Sequence, residues 1–149
     1  MQWADNEDQM AVDYLQAAGP EFNKIFSLFA DPTKHPVHVY CQQGKDRTGL
    51  TMILLQLLLG VDQQVIHDDY LRSETELYDG KPDVWEATRN EFNEKGLSDD
   101  FARCDPELVS TVINWLEQAH GGVEGYLSSI KVTAEMQDSI RRSMLLNGS

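Results

Sequence analysis

The sequence predicts an α/β fold that is predominantly helical in this chain, with a small or incomplete parallel sheet. Two observations predict it. The run Val37-His38-Val39-Tyr40-Cys41, bounded by Pro36 and by the polar Gln42-Gln43-Gly44, has the length and β-branched content of a short buried strand. Around it, apolar residues recur at helical spacing between glycine and proline breaks, with no second strand of comparable strength. A buried parallel strand that feeds a helix demands neighbours. Further strands are therefore expected near the N-terminus or outside the chain.

The elements follow in order. Pro20 can occupy a first helical turn, and Phe22, Ile25, Phe26 and Phe29 then share one apolar face until Asp31-Pro32 ends the helix. After the strand a helix is predicted over 47–59, stopped by Gly60. Asp62 can cap the next helix, which runs to Tyr78 ahead of Gly80 and Pro82. Another fits 83–95, closed by Gly96. Asp105-Pro106 pairs a cap with a proline at the first helical position, and that helix reaches the Gly121-Gly122 break. A short helical piece covers 125–130, and Thr133 caps a last helix ending near Leu146. With no repeat, low-complexity segment or linker, residues 1–149 read as a single domain.

A chain of 149 residues can bury a core without metal or disulfide staples. Its net charge of -13 argues against nucleic acid as a partner and against bulk attraction to anionic membranes. Any phosphate chemistry must then rest on positive potential concentrated locally. Cys41 and Cys104 lie far apart, without C-x-x-C spacing or a histidine ligand pattern, so a reduced compartment and no zinc site are expected. The polar, acidic residues 1–10 do not have the pattern of a signal peptide. The longest apolar stretch, 50–59, is too short to span a bilayer, and a cytoplasmic location is expected. Asn147-Gly148-Ser149 spells a glycosylation acceptor, which carries weight only beside a secretory signal.

The chemistry lies in Cys41-Gln42-Gln43-Gly44-Lys45-Asp46-Arg47-Thr48-Gly49, a C-x-x-G-K-D-R-T-G pattern between the expected strand and the helix. A tight loop after a strand can aim successive backbone N–H groups inward as an anion-binding concavity. The helix starting near Arg47 adds its positive end to the same spot, and Gly44 and Gly49 allow backbone to approach an anion. In that setting the Cys41 thiol should ionise more readily than a free thiol and attack phosphorus. Arg47 offers a planar fork for two phosphate oxygens. Thr48 can donate its hydroxyl to the sulfur, and Asp46 is the candidate general acid. The remaining loop positions, Gln42, Gln43, Gly44, Lys45 and Gly49, are expected to bind the substrate phosphate, whose charge the loop can neutralise without a metal or other cofactor. For a given cysteine, matching Gly, Arg, Thr and Gly at these offsets by chance is on the order of one in 10⁵ from average usage, which makes coincidence a poor explanation. A Walker nucleotide loop fails, because it needs glycine where Val39 stands and serine or threonine where Asp46 stands.

At these residues the chain resembles the atypical tyrosine/serine protein phosphatases of bacteria and fungi. The similarity extends to Leu58-Leu59-Gly60-Val61, to Asp69-Tyr70-Leu71-Arg72-Ser73 and to Gly121-Gly122-Val123-Glu124-Gly125-Tyr126-Leu127. It covers most of the chain from about Tyr14 onward. The resemblance implies a cysteine-phosphatase-like fold and removal of phosphate from phosphotyrosine or phosphoserine/threonine, in some members also from phosphoinositides. It also implies that Asp46 takes the acid role that other cysteine phosphatases give to a separate upstream loop. Two departures stand out. Tyr40 occupies a position where the family usually has a histidine that helps ionise the thiol. The family's N-terminal segment, with several strands, has no counterpart here, so the domain is expected to be truncated relative to the family.

Other residues have plainer roles. Asp8, Asp13 and Asp31 are upstream candidates for an acid, against helix caps or a solvated acidic face. His67-Asp68 lacks further metal ligands. His35 precedes the expected strand and His38 lies within it. Arg72, Arg89 and Arg103 could line a substrate mouth, against ordinary surface ion pairs. Trp85, Phe92, Phe101 and Trp115 are expected in the core, and Cys104 as a buried free thiol. The sequence thus points to a metal-free phosphatase acting through a phosphocysteine on a phosphorylated protein or a small phosphate ester. A phosphoinositide or inositol phosphate phosphatase, a phosphate-binding pseudophosphatase and an inactive fragment stay open as alternatives, and the oligomeric state is not encoded in any of these features.

Overall fold

The computed structural model describes residues 7–145. Among them the elements are all helical: α1 Glu7–Ala17, α2 Gly19–Ala30, α3 Arg47–Leu58, α4 Gln63–Tyr78, α5 Pro82–Glu94, α6 Leu108–His120, α7 Val123–Ser129 and α8 Ala134–Met144, with single 3-10 turns at Pro32–Lys34 and Asp99–Ala102. No helix among the described residues is long and apolar enough to cross a membrane. Asn147-Gly148-Ser149 and the expected end of the last helix at Leu146 lie outside the described residues.

Local signals account for most boundaries. Pro20 sits in the first turn of α2, whose Phe22, Phe26 and Phe29 are buried. The Asp62 carboxylate accepts the Gln64 N–H at 2.8 Å to start α4, and Thr133 caps α8 through the Met136 N–H. At the end of α3, Gly60 turns left-handed (φ 76°), so that its N–H reaches the Leu57 carbonyl and that of Val61 reaches Gln56. Such a C-terminal closure favours glycine because a Cβ is disfavoured there. The α6 start differs from expectation. The Asp105 carboxylate takes the Glu107 N–H at 2.8 Å, a turn closes over 105–108, and the helix begins at Leu108.

α3 is the central helix. Leu50, Thr51, Ile53, Leu54, Leu55 and Leu58 are all buried, on more than one face, as a helix enclosed by neighbours requires. It packs on α4 and α7, while α1 packs on α6 and α2 on α8. Leu15, Phe26, Ile53, Leu54, Ile66, Val109, Val112, Leu127 and Ile140 close the core around it, each side chain contributing about 1.5–3 kcal/mol by leaving water. Trp115 packs against this core, but Trp85, Phe92 and Phe101 are only half-buried, on α5 and the 99–102 turn. They cover the α4–α5 side of the molecule and do not fill its centre.

The expected strand and sheet are corrected. Residues 37–41 carry no regular secondary structure, and no strand occurs among the described residues. A strand exists only through a ladder with a neighbour, and where further strands were expected near the N-terminus the chain forms α1 instead. The alternation that suggested a strand is still visible. Val37 and Val39 line an apolar cleft of about 560 Å³ with Phe29, Met52, Leu55 and Met144. On the other side the rings of His38 and Tyr40 lie 5.4 Å apart, and Tyr40 is 79% exposed.

Candidate active site

The loop between residue 41 and α3 wraps around the Cys41 sulfur. The Gly44 N–H donates to Sγ at 3.3 Å, with Gly44 in a left-handed conformation (φ 77°) that lets the chain turn so sharply. Burial of the half-buried thiol works to raise its pKa. The Thr48 hydroxyl and the N–H groups of Thr48, Gly44 and Gln43 outweigh that effect, and the net shift is downward from an ordinary thiol. The Thr48 hydroxyl is itself buried and makes no formed hydrogen bond, so its dipole beside the sulfur is free to turn to the thiolate or to a bound phosphate.

The start of α3 is left open. Asp46 occupies the N-cap position, yet its carboxylate makes no capping bond. It turns instead to Lys45, whose Nζ donates to Oδ1 at 2.7 Å. The first-turn N–H groups and the helix dipole thus stay available to an anion beside the sulfur. Arg47, on the first turn, is exposed and has no ion-pair partner among the described residues. Gly49 plays a different part from Gly44. A Cβ there would touch the Tyr70 ring at 3.5 Å, so Gly49 helps seat α3 against α4.

The loop is held from two sides. Lys45 is fully buried, and its Nζ also donates to the Phe101 carbonyl at 3.1 Å. Gln42 reaches α5, where Lys95 first and the Gln42 amide as well hold the Glu91 carboxyl below its usual range. Tyr78 donates to the Ala102 carbonyl at 2.6 Å, and burial raises its hydroxyl pKa against the opposing charge of nearby Lys45. Sequence reasoning did not foresee this supporting shell. A lysine in a polar loop reads as solvated, and the carbonyl that accepts from it is 56 residues away.

The other candidates lie in local structure of their own. Asp31 caps its 3-10 turn, where the Thr33 hydroxyl and N–H lower its pKa. Asp13 accepts from Gln9 along α1. Asp8 accepts from Thr111 and faces Asp105, whose pKa is raised by burial and by the Asp8 carboxyl. His67 bridges to the Pro106 carbonyl and His35 to the Phe29 carbonyl. Among the described residues no group of three or more His, Cys, Asp or Glu could hold a metal ion. Arg89 stands 4.0 Å from Asp99. Arg103 pairs with Glu74 at 3.0 Å and stacks on Trp85, lining a separate cavity that no residue of 41–49 borders. Arg72 is exposed on α4. Cys104 is buried and is not joined in a disulfide, as expected.

A tyrosine-protein phosphatase of Nostoc commune is 28% identical over 137 residues, covering 88% of this chain and 46% of that protein. The triple specificity protein phosphatase PtpB of Mycobacterium tuberculosis is 26% identical over 134 residues, covering 83% of this chain and 48% of its own. The chain therefore spans about half the length of the curated relatives it matches. The model of the tyrosine phosphatase family matches residues 2–146. On that match, which takes in the loop from Cys41 to Gly49 and nearly all the rest, the chain belongs to the tyrosine phosphatase family.

Proposed function

We propose that this chain hydrolyses phosphotyrosine esters, and phosphoserine or phosphothreonine esters as well, through a phosphocysteine intermediate. The observation that carries the reading is the set of donors around the Cys41 sulfur: the Gln43, Gly44 and Thr48 N–H groups and the Thr48 hydroxyl. The same donors that favour a thiolate can cradle phosphate oxygens, with the backbone of 42–46, the open start of α3 and Arg47 completing the cradle. Cys41 Sγ attacks phosphorus and forms an S–P bond while the P–O bond to the leaving group breaks. Asp46 gives that oxygen its proton. In the second step Asp46 takes a proton from water, the water oxygen bonds to phosphorus, and the sulfur leaves as a thiolate accepting from Thr48. Gln42, Gln43, Gly44, Lys45 and Gly49 belong to the substrate side of the loop as parts of its backbone. The name of the mycobacterial relative, triple specificity protein phosphatase, supports assaying more than one class of phosphate ester.

The test is phosphate release from an aryl phosphate and from phosphotyrosine, phosphoserine and phosphoinositide substrates, with Cys41→Ser alongside. Turnover that vanadate inhibits and Cys41→Ser abolishes is the expected result. Phosphopeptide binding with no turnover in the unmodified protein would replace the enzyme with a binding module. Preference for the phosphoinositide would reassign the substrate.

A further inference from the structure

We infer that Lys45 is a positioning residue for Asp46, holding the acid in place from beneath the loop; this rests on the phosphatase reading above. Lys45 has a side-chain exposure of 0%, against 48% for the Asp46 carboxylate it contacts. A buried ammonium is strongly disfavoured unless its protons are satisfied and its charge is paired. Here Nζ donates to Asp46 Oδ1 at 2.7 Å and to the Phe101 carbonyl at 3.1 Å. The pair is therefore anchored in the 99–102 turn while its carboxylate end opens to solvent. A lysine binding substrate phosphate directly would have to carry its ammonium to the phosphate, and this one points into the protein.

The N-cap position sharpens the inference. An aspartate there ordinarily accepts from the N–H groups of the first helical turn. In this chain that bond is not made, and the carboxylate is turned to Lys45. The lysine thereby does two things with one contact. It fixes the rotamer of a carboxyl that must meet a leaving oxygen in one orientation. It also keeps the carboxyl oxygens off the N–H groups that Cys41 and the phosphate require, and leaves Oδ2 to carry the proton. Lys45 touches neither sulfur nor substrate in this role and acts through Asp46.

The experiment compares Lys45→Met, Asp46→Asn and the double variant on 4-nitrophenyl phosphate, a good leaving group, and phenyl phosphate, a poor one. Lys45→Met should slow phenyl phosphate about 10-fold or more beyond its effect on 4-nitrophenyl phosphate, because only the poor leaving group depends on the acid. The double variant should be no slower on phenyl phosphate than Asp46→Asn alone, since a positioning residue has nothing to position once the acid is gone. Equal slowing of both substrates by Lys45→Met, or losses that multiply in the double variant, would overturn the inference and assign Lys45 a purely structural part. If methionine beneath Phe101 prevents folding, Lys45→Gln, a neutral side chain that can still donate, carries the same comparison. Cys41→Ser separates the two readings. Wild-type turnover lost in Cys41→Ser, with equal slowing by Lys45→Met, removes only the role of Lys45. No wild-type turnover on either substrate removes both.

Discussion

Replacing Thr48 with valine keeps the shape of the side chain and deletes one donor to the Cys41 sulfur. The hydroxyl is buried and makes no formed hydrogen bond to another group, so little else is lost with it. A hydrogen bond to a charged group contributes about 1.5–3 kcal/mol. Cys41 is only half-buried, and competition from solvent brings the expected loss to the lower end, about 1–1.5 kcal/mol. At any pH where the thiol is mostly protonated, that lowers the thiolate population about tenfold. The assay is the rate of alkylation by iodoacetamide as a function of pH. The wild-type profile should rise at lower pH than that of Thr48→Val, and the two should converge at alkaline pH where both sulfurs are ionised. Turnover should fall as well, with phosphoenzyme accumulating because the sulfur leaves less readily in the second step. Superimposable alkylation profiles from two folded proteins would show that Thr48 does not stabilise the thiolate, and the donor set around Cys41 would lose its leading side-chain member.

Three further outcomes are expected. Asp46→Asn should slow phenyl phosphate about 100-fold while slowing 4-nitrophenyl phosphate much less; equal slowing would put the acid elsewhere. Gly125→Ala should destabilise the protein by about 3 kcal/mol or more, because a Cβ there would stand 1.9 Å from the His120 backbone oxygen, which cannot move aside; thermal unfolding reads the loss. Burial and the facing Asp8 carboxyl raise the Asp105 pKa, so the fold binds that proton more tightly than the unfolded chain, and ionised Asp105 opposes folding at neutral pH. Asp105→Asn should therefore stabilise the protein at pH 7 by roughly 0.5 kcal/mol after solvent screening. The gain should shrink in salt and vanish as acidification protonates the wild-type carboxyl. A loss of stability at pH 7 would contradict that sign.

What the sequence made legible was local. The caps at Asp62 and Thr133, the stop at Gly60 and the phenylalanine face of α2 depend on neighbours within a few residues, and each is found where its pattern stands. The loop was readable for the same reason, since its donors to Cys41 come from Gln43, Gly44 and Thr48. Most of the misses required distant partners. Residues 37–41 had the composition of a strand, but strand formation depends on a ladder that no described segment supplies. α1 was hidden by its many polar residues, although Ala11, Leu15 and Ala18 are spaced to bury one face. The burial of Lys45 depends on a carbonyl at Phe101, and the half-exposure of Trp85 on a neighbouring Arg103 and Tyr78. Apart from the apolar face of α1, none of these is encoded within a few residues of the side chain concerned.

Covalent transfer of phosphate to Cys41 is the most direct test of the account. The protein is acid-quenched within its first turnovers of an aryl phosphate, and its peptides are examined by mass spectrometry. The account predicts one phosphoryl group on the peptide carrying Cys41, absent from Cys41→Ser. Sustained turnover with that peptide unmodified, or with the phosphoryl group on another residue, would contradict it.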